Sequence, residues 1–296
     1  MSSTKRGFMM YAYSNEQLDY AKLACMCALS IKHNLKENNI TLVTDTSTIG
    51  WMKKIIDESI IEKLFDNMII SDQKHPKNTR TFNDSPYTQF EANFNNHGRE
   101  QAYDLSPYDE TILIDVDYFV MSNKLDLLWD NSKNILMNKK ATDLRCESLK
   151  SDERLNVAGI PMYWATVVYF RKCEESKIFF DLVKYIKENY DYFGNLYGIK
   201  GSLYRNDFVF SIAKHIINGF TEVDDSLGID TLVSMMLEDD IVEIQDNKVL
   251  FLSNERKTTP WVNRLLTIEN VDVHMMNKRA LTRHFDEVLE IYGGEG

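Results

Sequence analysis

An α/β fold is what this 296-residue sequence predicts, and three observations predict it. Two short apolar runs flank a long small-residue helix within the first forty-five residues. Strand-like and helix-like segments go on alternating after that, and a third apolar run, Thr111-Ile112-Leu113-Ile114, stops abruptly on Asp115-Val116-Asp117. The first run is Gly7 to Tyr13, and Ser14-Asn15-Glu16-Gln17 after it has the Ser-x-x-Gln form of a capping box, which predicts a helix starting there. From Leu18 to Leu35 the apolar positions Leu18, Ala21, Cys25, Ala28, Leu29 and Ile31 recur at helical steps, and Asn38-Asn39 ends the pattern. Ile40 to Val43 then reads as a second buried strand closing on Thr44-Asp45, so strand, helix and strand form a right-handed parallel unit.

The alternation predicts a helix over Ile49 to Phe65 and a strand over Met68 to Ile70. The polar stretch Asp72 to Ser85 reads as a surface loop near a site, and Tyr87 to Tyr103 as a helix. Ser106-Pro107-Tyr108-Asp109 is a turn leading into Thr111 to Ile114. The second half predicts a long strand over Met162 to Phe170, helices over Ile178 to Tyr190 and Asn206 to Asn218, and short strands at Ile241 to Ile244, Val249 to Leu252 and Val271 to His274. A helix over Asn277 to Ile291 follows. Without a repeat or a Pro/Gly-rich linker, one domain over 1–296 with a mixed, mainly parallel sheet flanked by helices is expected.

Composition narrows the function classes. Hydrophobic residues are 44% of the chain, with 15 Tyr, 15 Phe and 4 Trp, which excludes disordered and fibrous classes. The longest nearly uncharged apolar run, Gly159 to Phe170, is 12 residues, too short to cross a bilayer, and Met1 to Gly7 leads straight into a strand-like run without a signal-peptide core. A cytoplasmic protein with no membrane span is therefore expected. The four cysteines, Cys25, Cys27, Cys146 and Cys173, read as small hydrophobes. A net charge of −11 argues against a surface that tracks many phosphates and for a neutral partner.

Asp115 and Asp117 are the most informative pair. Two residues apart on an extended segment they would face one spot, with Cα atoms about 6 to 7 Å apart. Two bare carboxylates there repel, and a hard divalent cation, Mg²⁺ or Mn²⁺, removes that cost. Ligands of open α/β sheets also bind beyond the carboxyl ends of strands. Against this, about two Asp-x-Asp triplets are expected by chance in a chain with this much Asp, so a solvated turn is the plain alternative. His274 ends the run Val271-Asp272-Val273, ahead of Lys278 and Arg279, and an imidazole there could complete a metal shell; a His at a strand end is its ordinary reading. Arg99, sixteen residues before Asp115 and placed in the C-terminal half of the helix over Tyr87 to Tyr103, could reach a phosphate at the strand mouth or simply be a helix-end cation. Asp207, Ser211 and Lys214 form a polar stripe that such spacing usually turns to solvent. Tyr190, Tyr192, Phe193, Tyr197 and Tyr204, among Gly194, Gly198 and Gly201, suggest a mobile aromatic loop able to stack on sugars or bases, or a core edge. His33, His75, His97, His215 and His284 show no partner pattern.

In their order these pieces resemble the GT-A glycosyltransferases, and among them the family-8 retaining enzymes such as glycogenin and the lipopolysaccharide galactosyltransferases. The resemblance rests on Tyr11-Ala12-Tyr13-Ser14-Asn15, the helix AKLACMCALSIKHNL, Val43-Thr44-Asp45, Arg99, the strand ILIDVDYFV and His274. It implies a Rossmann-like domain with a nucleotide-binding half over about 1–120 and an acceptor half over about 121–296. It also implies a UDP-sugar donor, UDP-glucose or UDP-galactose, held with Mn²⁺ or Mg²⁺. By the same resemblance Ala12, Tyr13 and Asn15 match the uracil and ribose site, Arg99 a donor contact, Asp115 and Asp117 the metal and ribose-diphosphate ligands, and His274 the remaining metal ligand. Three departures stand out. Trp164-Ala165-Thr166 replaces the family's usual Asn-x-Gly, Asn206-Asp207 stands where the family has Asp-Gln and makes Asp207 the candidate group near the anomeric carbon, and Lys278, the candidate phosphate cation, lies two positions early. Other readings stay open: a sugar-phosphate nucleotidyltransferase, which a glycine-rich loop would favour although Tyr11 to Gln17 has no glycine, or an inactive nucleotide-sugar binding module. The acceptor could be a glycan, a protein, a polyol or a hydroxymethylated DNA base, nucleic acid entering only in that last role.

Overall fold

The computed structural model describes residues 4–71, 78–84, 88–94, 98–149, 153–156, 159–199, 203–223, 225–229, 231–255 and 262–294. Strand β1 (Arg6–Ala12), helix α1 (Tyr20–Asn34) and strand β2 (Ile40–Thr44) form the expected parallel unit, with Phe8 opposite Ile40 and Tyr11 opposite Val43. Helices α2 (Thr46–Ile55) and α3 (Glu58–Leu64) lead to β3 (Asn67–Ile70), and β4 (Asn78–Asn83) pairs with β5 (Gln89–Phe94) as an antiparallel hairpin. A 3-10 turn at Arg99–Gln101 and the short α4 (Ala102–Leu105) precede β6 (Glu110–Ile114), β7 (Tyr118–Phe119), β8 (Ile135–Asn138), β9 (Ala141–Asp143) and β10 (Trp164–Arg171). Helices α5 (Glu174–Glu188), α6 (Tyr190–Leu196) and α7 (Asn206–Ile217) come next. The chain ends through β11 (Leu232–Met235), β12 (Asp240–Gln245), β13 (Lys248–Glu255), β14 (Val262–Glu269), β15 (Val273–Met275), α8 (Lys278–Arg283) and α9 (Phe285–Gly293).

The main sheet runs β3-β2-β1-β6-β10-β8. Its first four strands are parallel and β10 is antiparallel to both neighbours, which makes the sheet mixed and largely parallel. Side chains alternate across it. Phe8 and Met10 of β1 enter the core shared with α1 and α9, whereas Met9 and Tyr11 enter the core shared with α5 and α7. Burial of both faces is why these strands read as unbroken apolar runs. Helix α1 fits between sheet and α9 because Ala21, Ala24, Cys25, Cys27 and Ala28 are small and fully enclosed. A second sheet, β7-β15-β11-β9, stands beyond the end of β6. Among the described residues no helix is long and apolar enough to cross a membrane.

Several boundaries differ from expectation. Residues 14–19 are a turn: Ser14 Oγ accepts from Ala21 N at 2.7 Å, and Asp19, not Ser14, caps α1 through Lys22 N. The helix expected over Ile49 to Phe65 breaks at Ile56, whose backbone is extended, and the one over Asn277 to Ile291 breaks at His284. The described part of the loop expected over Asp72 to Ser85 is mostly strand β4, and about half of the described part of the helix expected over Tyr87 to Tyr103 is β5. Their alternation, Thr79-Arg80-Thr81-Phe82 against Gln89-Phe90-Glu91-Ala92, is strand-like but too polar to look buried. Positions 72–77, 85, 87 and 95–97 lie outside the described residues. The Asp207, Ser211, Lys214 stripe faces inward: Ser211 Oγ donates to Asp207 O at 2.6 Å, and Lys214 is enclosed against Asp225 and the Ile135 carbonyl.

Candidate functional site

Parallel strands β1, β2 and β6 end at one edge of the main sheet, and the turn Asp115–Tyr118 carries the chain from there into the second sheet. Asp115 N donates to Thr166 O of β10 at 2.9 Å, and Tyr118 N closes the turn on Asp115 O at 3.0 Å. The two aspartates therefore meet through a turn rather than along the extended strand expected from their spacing. On its far side, β7 pairs antiparallel with β15, placing His274 opposite Tyr118, and Met275 N donates to Asp117 O at 2.7 Å. That pairing brings a residue from near the C-terminus onto the Asp-x-Asp turn.

Potential ligand atoms of Asp115, Asp117 and His274 lie within 4.8 Å of one another. His274 Nε2 is 3.5 Å from Asp117 Oδ2, and its buried Nδ1 has no hydrogen-bond partner among the described residues. Lys278 Nζ contacts the same Asp117 oxygen, and Arg99 Nη2 contacts Asp115 Oδ1. Burial by itself would raise the Asp117 carboxyl, but Lys278 and His274 outweigh burial and hold it well below the ordinary carboxylate range. Each carboxylate is thus matched by one side-chain cation. Two carboxylates and an imidazole are the hard and borderline donors that Mn²⁺ or Mg²⁺ accepts, so the residues present fit such an ion.

Arg99 occupies the 3-10 turn after β5 instead of a helix. Gly98 before it has φ +97°, and a Cβ there would stand 3.2 Å from the Tyr11 ring, so only glycine admits this turn without strain. Burial pulls the Arg99 guanidinium below its ordinary value, and its Nη1 donates to Ala165 O at 2.7 Å. The Ala165 N–H in turn donates to Asp207 Oδ1 at 2.9 Å. β10 can spend Ala165 in this way because its pairing with β6 begins only at Val167. Asp207 Oδ2 accepts from Arg205 at 3.0 Å; burial would raise its carboxyl, and Arg205, the Ala165 amide and Arg99 bring it below its ordinary value. Lys278 opens α8, whose cap Asn277 accepts from Ala280 N at 3.1 Å and donates to Asp239 O at 2.9 Å.

Arg99, Asp115, Asp117, Asp207, His274 and Lys278 thus line one cleft of about 370 Å³. Ala12, Tyr13 and Asn15 do not line it. Ala12 is packed inside, its carbonyl accepting from Thr44 Oγ1; burial first, with Asp45 and Glu100 adding to it against a hydrogen bond from Ser71, pushes the Tyr13 phenol up to about 12. Asn15 Oδ1 takes the Gln17 and Leu18 amides, and Asn15 lines a neighbouring recess that shares Lys278 with the cleft. The sequence reading missed Arg80 and Arg205, which line the cleft together with Tyr204 of the aromatic cluster and with Tyr11 and Trp164, named there only as parts of motifs. Arg205 was findable as a cation two residues before Asp207, while Arg80 lay in a stretch read as loop. The aromatic segment is not a free loop in its described part: Tyr190 starts α6 and packs edge-on against Tyr204 at 5.3 Å. Of the remaining histidines, His33 meets Asp246 at 3.0 Å and His284 meets Glu287, while 75 and 97 lie outside the described residues.

No protein-family profile and no curated protein matches the chain. Solved structures are similar to it in layout. The glycosyltransferase GlyE of Streptococcus pneumoniae TIGR4 is 12% identical over 73% of this chain and 43% of its own, with a TM-score of 0.40. Galactosyltransferase LgtC, in complex with donor and acceptor sugar analogs, is 15% identical over 69% of this chain and 68% of its own, with a TM-score of 0.43. Mouse xyloside xylosyltransferase 1 is 12% identical over 72% of this chain and 82% of its own, with a TM-score of 0.41. The chain thus spans less than half the length of GlyE. Similarity of this degree leaves the activity to be read from the chemistry of the cleft itself.

Proposed function

We propose that the chain is a GT-A glycosyltransferase of the family-8 kind, moving a hexose from a UDP-sugar, UDP-glucose or UDP-galactose, to a glycan hydroxyl with retention at the anomeric carbon. The observation that carries this reading is the Asp115, Asp117, His274 cluster, flanked by Arg99 and Lys278 at the carboxyl edge of the parallel strands. Bound there, a Mn²⁺ or Mg²⁺ ion would supply Lewis acidity toward the diphosphate leaving group. Arg99 and Lys278 then have their charge available to the same diphosphate, Arg99 as a planar donor fork and Lys278 as a point charge. The recess lined by Asn15 and Lys278 adjoins this end of the cleft and suits the nucleoside part of the donor; Ala12 and Tyr13 lie just before Asn15 in the chain and do not line it. Asp207 is a fixed negative charge. Both its oxygens are held, so its role at the anomeric carbon is to stabilise positive charge as the sugar–phosphate bond breaks. Four free cysteines suit a reducing compartment such as the cytoplasm.

The test is UDP release from UDP-glucose and UDP-galactose, with Mn²⁺ and with excess EDTA. Release is expected only with the metal present. Equal release in EDTA sinks the metal assignment, and no release from any UDP-sugar sinks the transferase reading.

A further inference from the structure

Two further cations line the cleft once the donor is provided for, and one of them, Arg205, already has a carboxylate partner in Asp207. Arg99 and Lys278 are the ones in ion pairs with Asp115 and Asp117. Arg80 and Arg205 also line the cleft but pair with neither. Arg205 is fixed, its guanidinium 4.7 Å from the Phe208 ring centroid and donating to Asp207. Arg80 comes from β4, where Phe82, two residues on and on the same face, stands 5.7 Å from its guanidinium. Among the described residues no carboxylate forms an ion pair with Arg80. The cleft therefore holds four cations, Arg80, Arg99, Arg205 and Lys278, against the three carboxylates Asp115, Asp117 and Asp207. This surplus sits in a chain whose total charge is −11. Arg80 is exposed at the mouth of the cleft, and partial burial together with the neighbouring Arg205 pulls its guanidinium below its ordinary value, Asp207 and others opposing them only in part. Asp207 is the carboxylate of the cleft that acts on both guanidiniums and it is already bonded by Arg205, so one positive charge facing the cavity stays unmatched, and a second anion beside it would gain a charge-assisted hydrogen-bonding fork.

We propose that the acceptor is an anionic glycan, one whose sugar carries a carboxylate or phosphate, and that this group is taken between Arg80 and Arg205. The inference rests on the transferase reading above and reverses the neutral partner expected from net charge. Net charge averages over the whole surface, whereas the acceptor meets only the cleft. The anion is assigned to the acceptor because the donor's own anionic part already has Arg99 and Lys278.

The experiment compares matched acceptors, methyl glucoside with methyl glucuronide and methyl galactoside with methyl galacturonide, each also as its 6-phosphate where the series allows. Transfer by the wild-type chain and by Arg80→Gln and Arg80→Lys is read as the ratio of kcat/KM for anionic over neutral acceptor. The ratio is expected to be at least about tenfold in the wild type, to fall toward one in Arg80→Gln, to be largely restored in Arg80→Lys, and to shrink with added salt. Calorimetry of the same compounds with UDP and Mn²⁺ present gives the corresponding affinity ratio if none is turned over. A neutral preference, a ratio unmoved by Arg80→Gln, or a charge preference that follows UDP-glucuronate as donor instead of the acceptor overturns the proposal. UDP release with no anionic preference overturns it alone, while absence of UDP release from every donor removes the transferase reading and this inference with it.

Discussion

The molecule contains two sets of aspartate–cation pairs that look alike on paper and differ in consequence. In the cleft, Asp115 meets Arg99 and Asp117 meets Lys278. At the other end of α7, Asp225 meets Lys214 at 2.9 Å. Burial opposes ionisation of Asp117 and Asp225 alike, and in both the surrounding partners win and hold the carboxyl below its ordinary value. The difference is access. Lys214 and Asp225 have side chains 3% and 5% exposed, and Asp225 also accepts from Tyr163 Oη at 2.6 Å and Asn218 Nδ2 at 3.0 Å. Asp115 is 27% exposed, and Asp117, though only 6% exposed itself, shares with its 16% exposed partner Lys278 the wall of an open cavity. A sealed pair can only hold the fold, whereas a pair on a cavity can exchange its partner for a ligand.

Crossing the two sites breaks or sharpens this contrast. Asp117→Asn is expected to lower metal-dependent UDP release on the order of a thousandfold, several kcal/mol of transition-state stabilisation, with a cooperative urea transition retained. Asp225→Asn should do the reverse, leaving Lys214 buried and unmatched at a cost of about 3–5 kcal/mol while kcat per folded molecule stays put. If Asp117→Asn unfolds the chain and Asp225→Asn does not, the contrast is wrong.

Acidity offers a milder version of the same comparison. A carboxyl whose folded value lies below its unfolded one contributes stability above the unfolded value, about 4 for Asp, and loses it as pH falls through the folded value. Urea midpoints of the wild type should therefore drop on acidification below about pH 4, and those of Asp225→Asn should drop less. Equal acid sensitivity would show that Asp225 is not among the groups responsible.

Smaller effects follow from moving the cleft cations without removing them. Gly98→Ala forces a Cβ into a left-handed turn against Tyr11 and is expected to cost about 1–3 kcal/mol and raise the donor KM through Arg99. Asn277→Ala removes the cap of α8, about 1 kcal/mol, and should shift donor KM through Lys278 without altering the acceptor preference. Thermal melts and donor titrations check both.

How much was legible in the sequence follows burial. Strands β1, β2, β6 and β10 are covered on both faces and so declare themselves as apolar runs. β4 and β5 were misread as loop and helix because a polar hairpin carries no such signal, and Arg80 was lost with them. The aspartates were visible as a motif and His274 as a strand end, but what joins them is the pairing of the two-residue β7 with the three-residue β15, a contact too short and too distant in sequence to leave a pattern. Lys214 failed in the opposite direction. Its spacing is that of a solvent-facing stripe, and only the packing of α7 against β10 and α5 encloses it.

Asp115 of the Asp-x-Asp turn has its partner Arg99 sixteen residues before it, whereas the partners of Asp117 come far later, with Lys278 lying 161 positions beyond it. During synthesis the β1–β6 edge is complete once residue 114 has emerged, with Arg6 of β1 opposite Glu110 of β6, yet Asp117 waits for β15 and α8 to leave the ribosome. A nascent chain held short of residue 274 would display an acidic turn with neither imidazole nor Lys278 to balance Asp117. Assembly of the Asp115, Asp117 and His274 cluster is therefore timed, complete only once residues 274 to 278 have emerged.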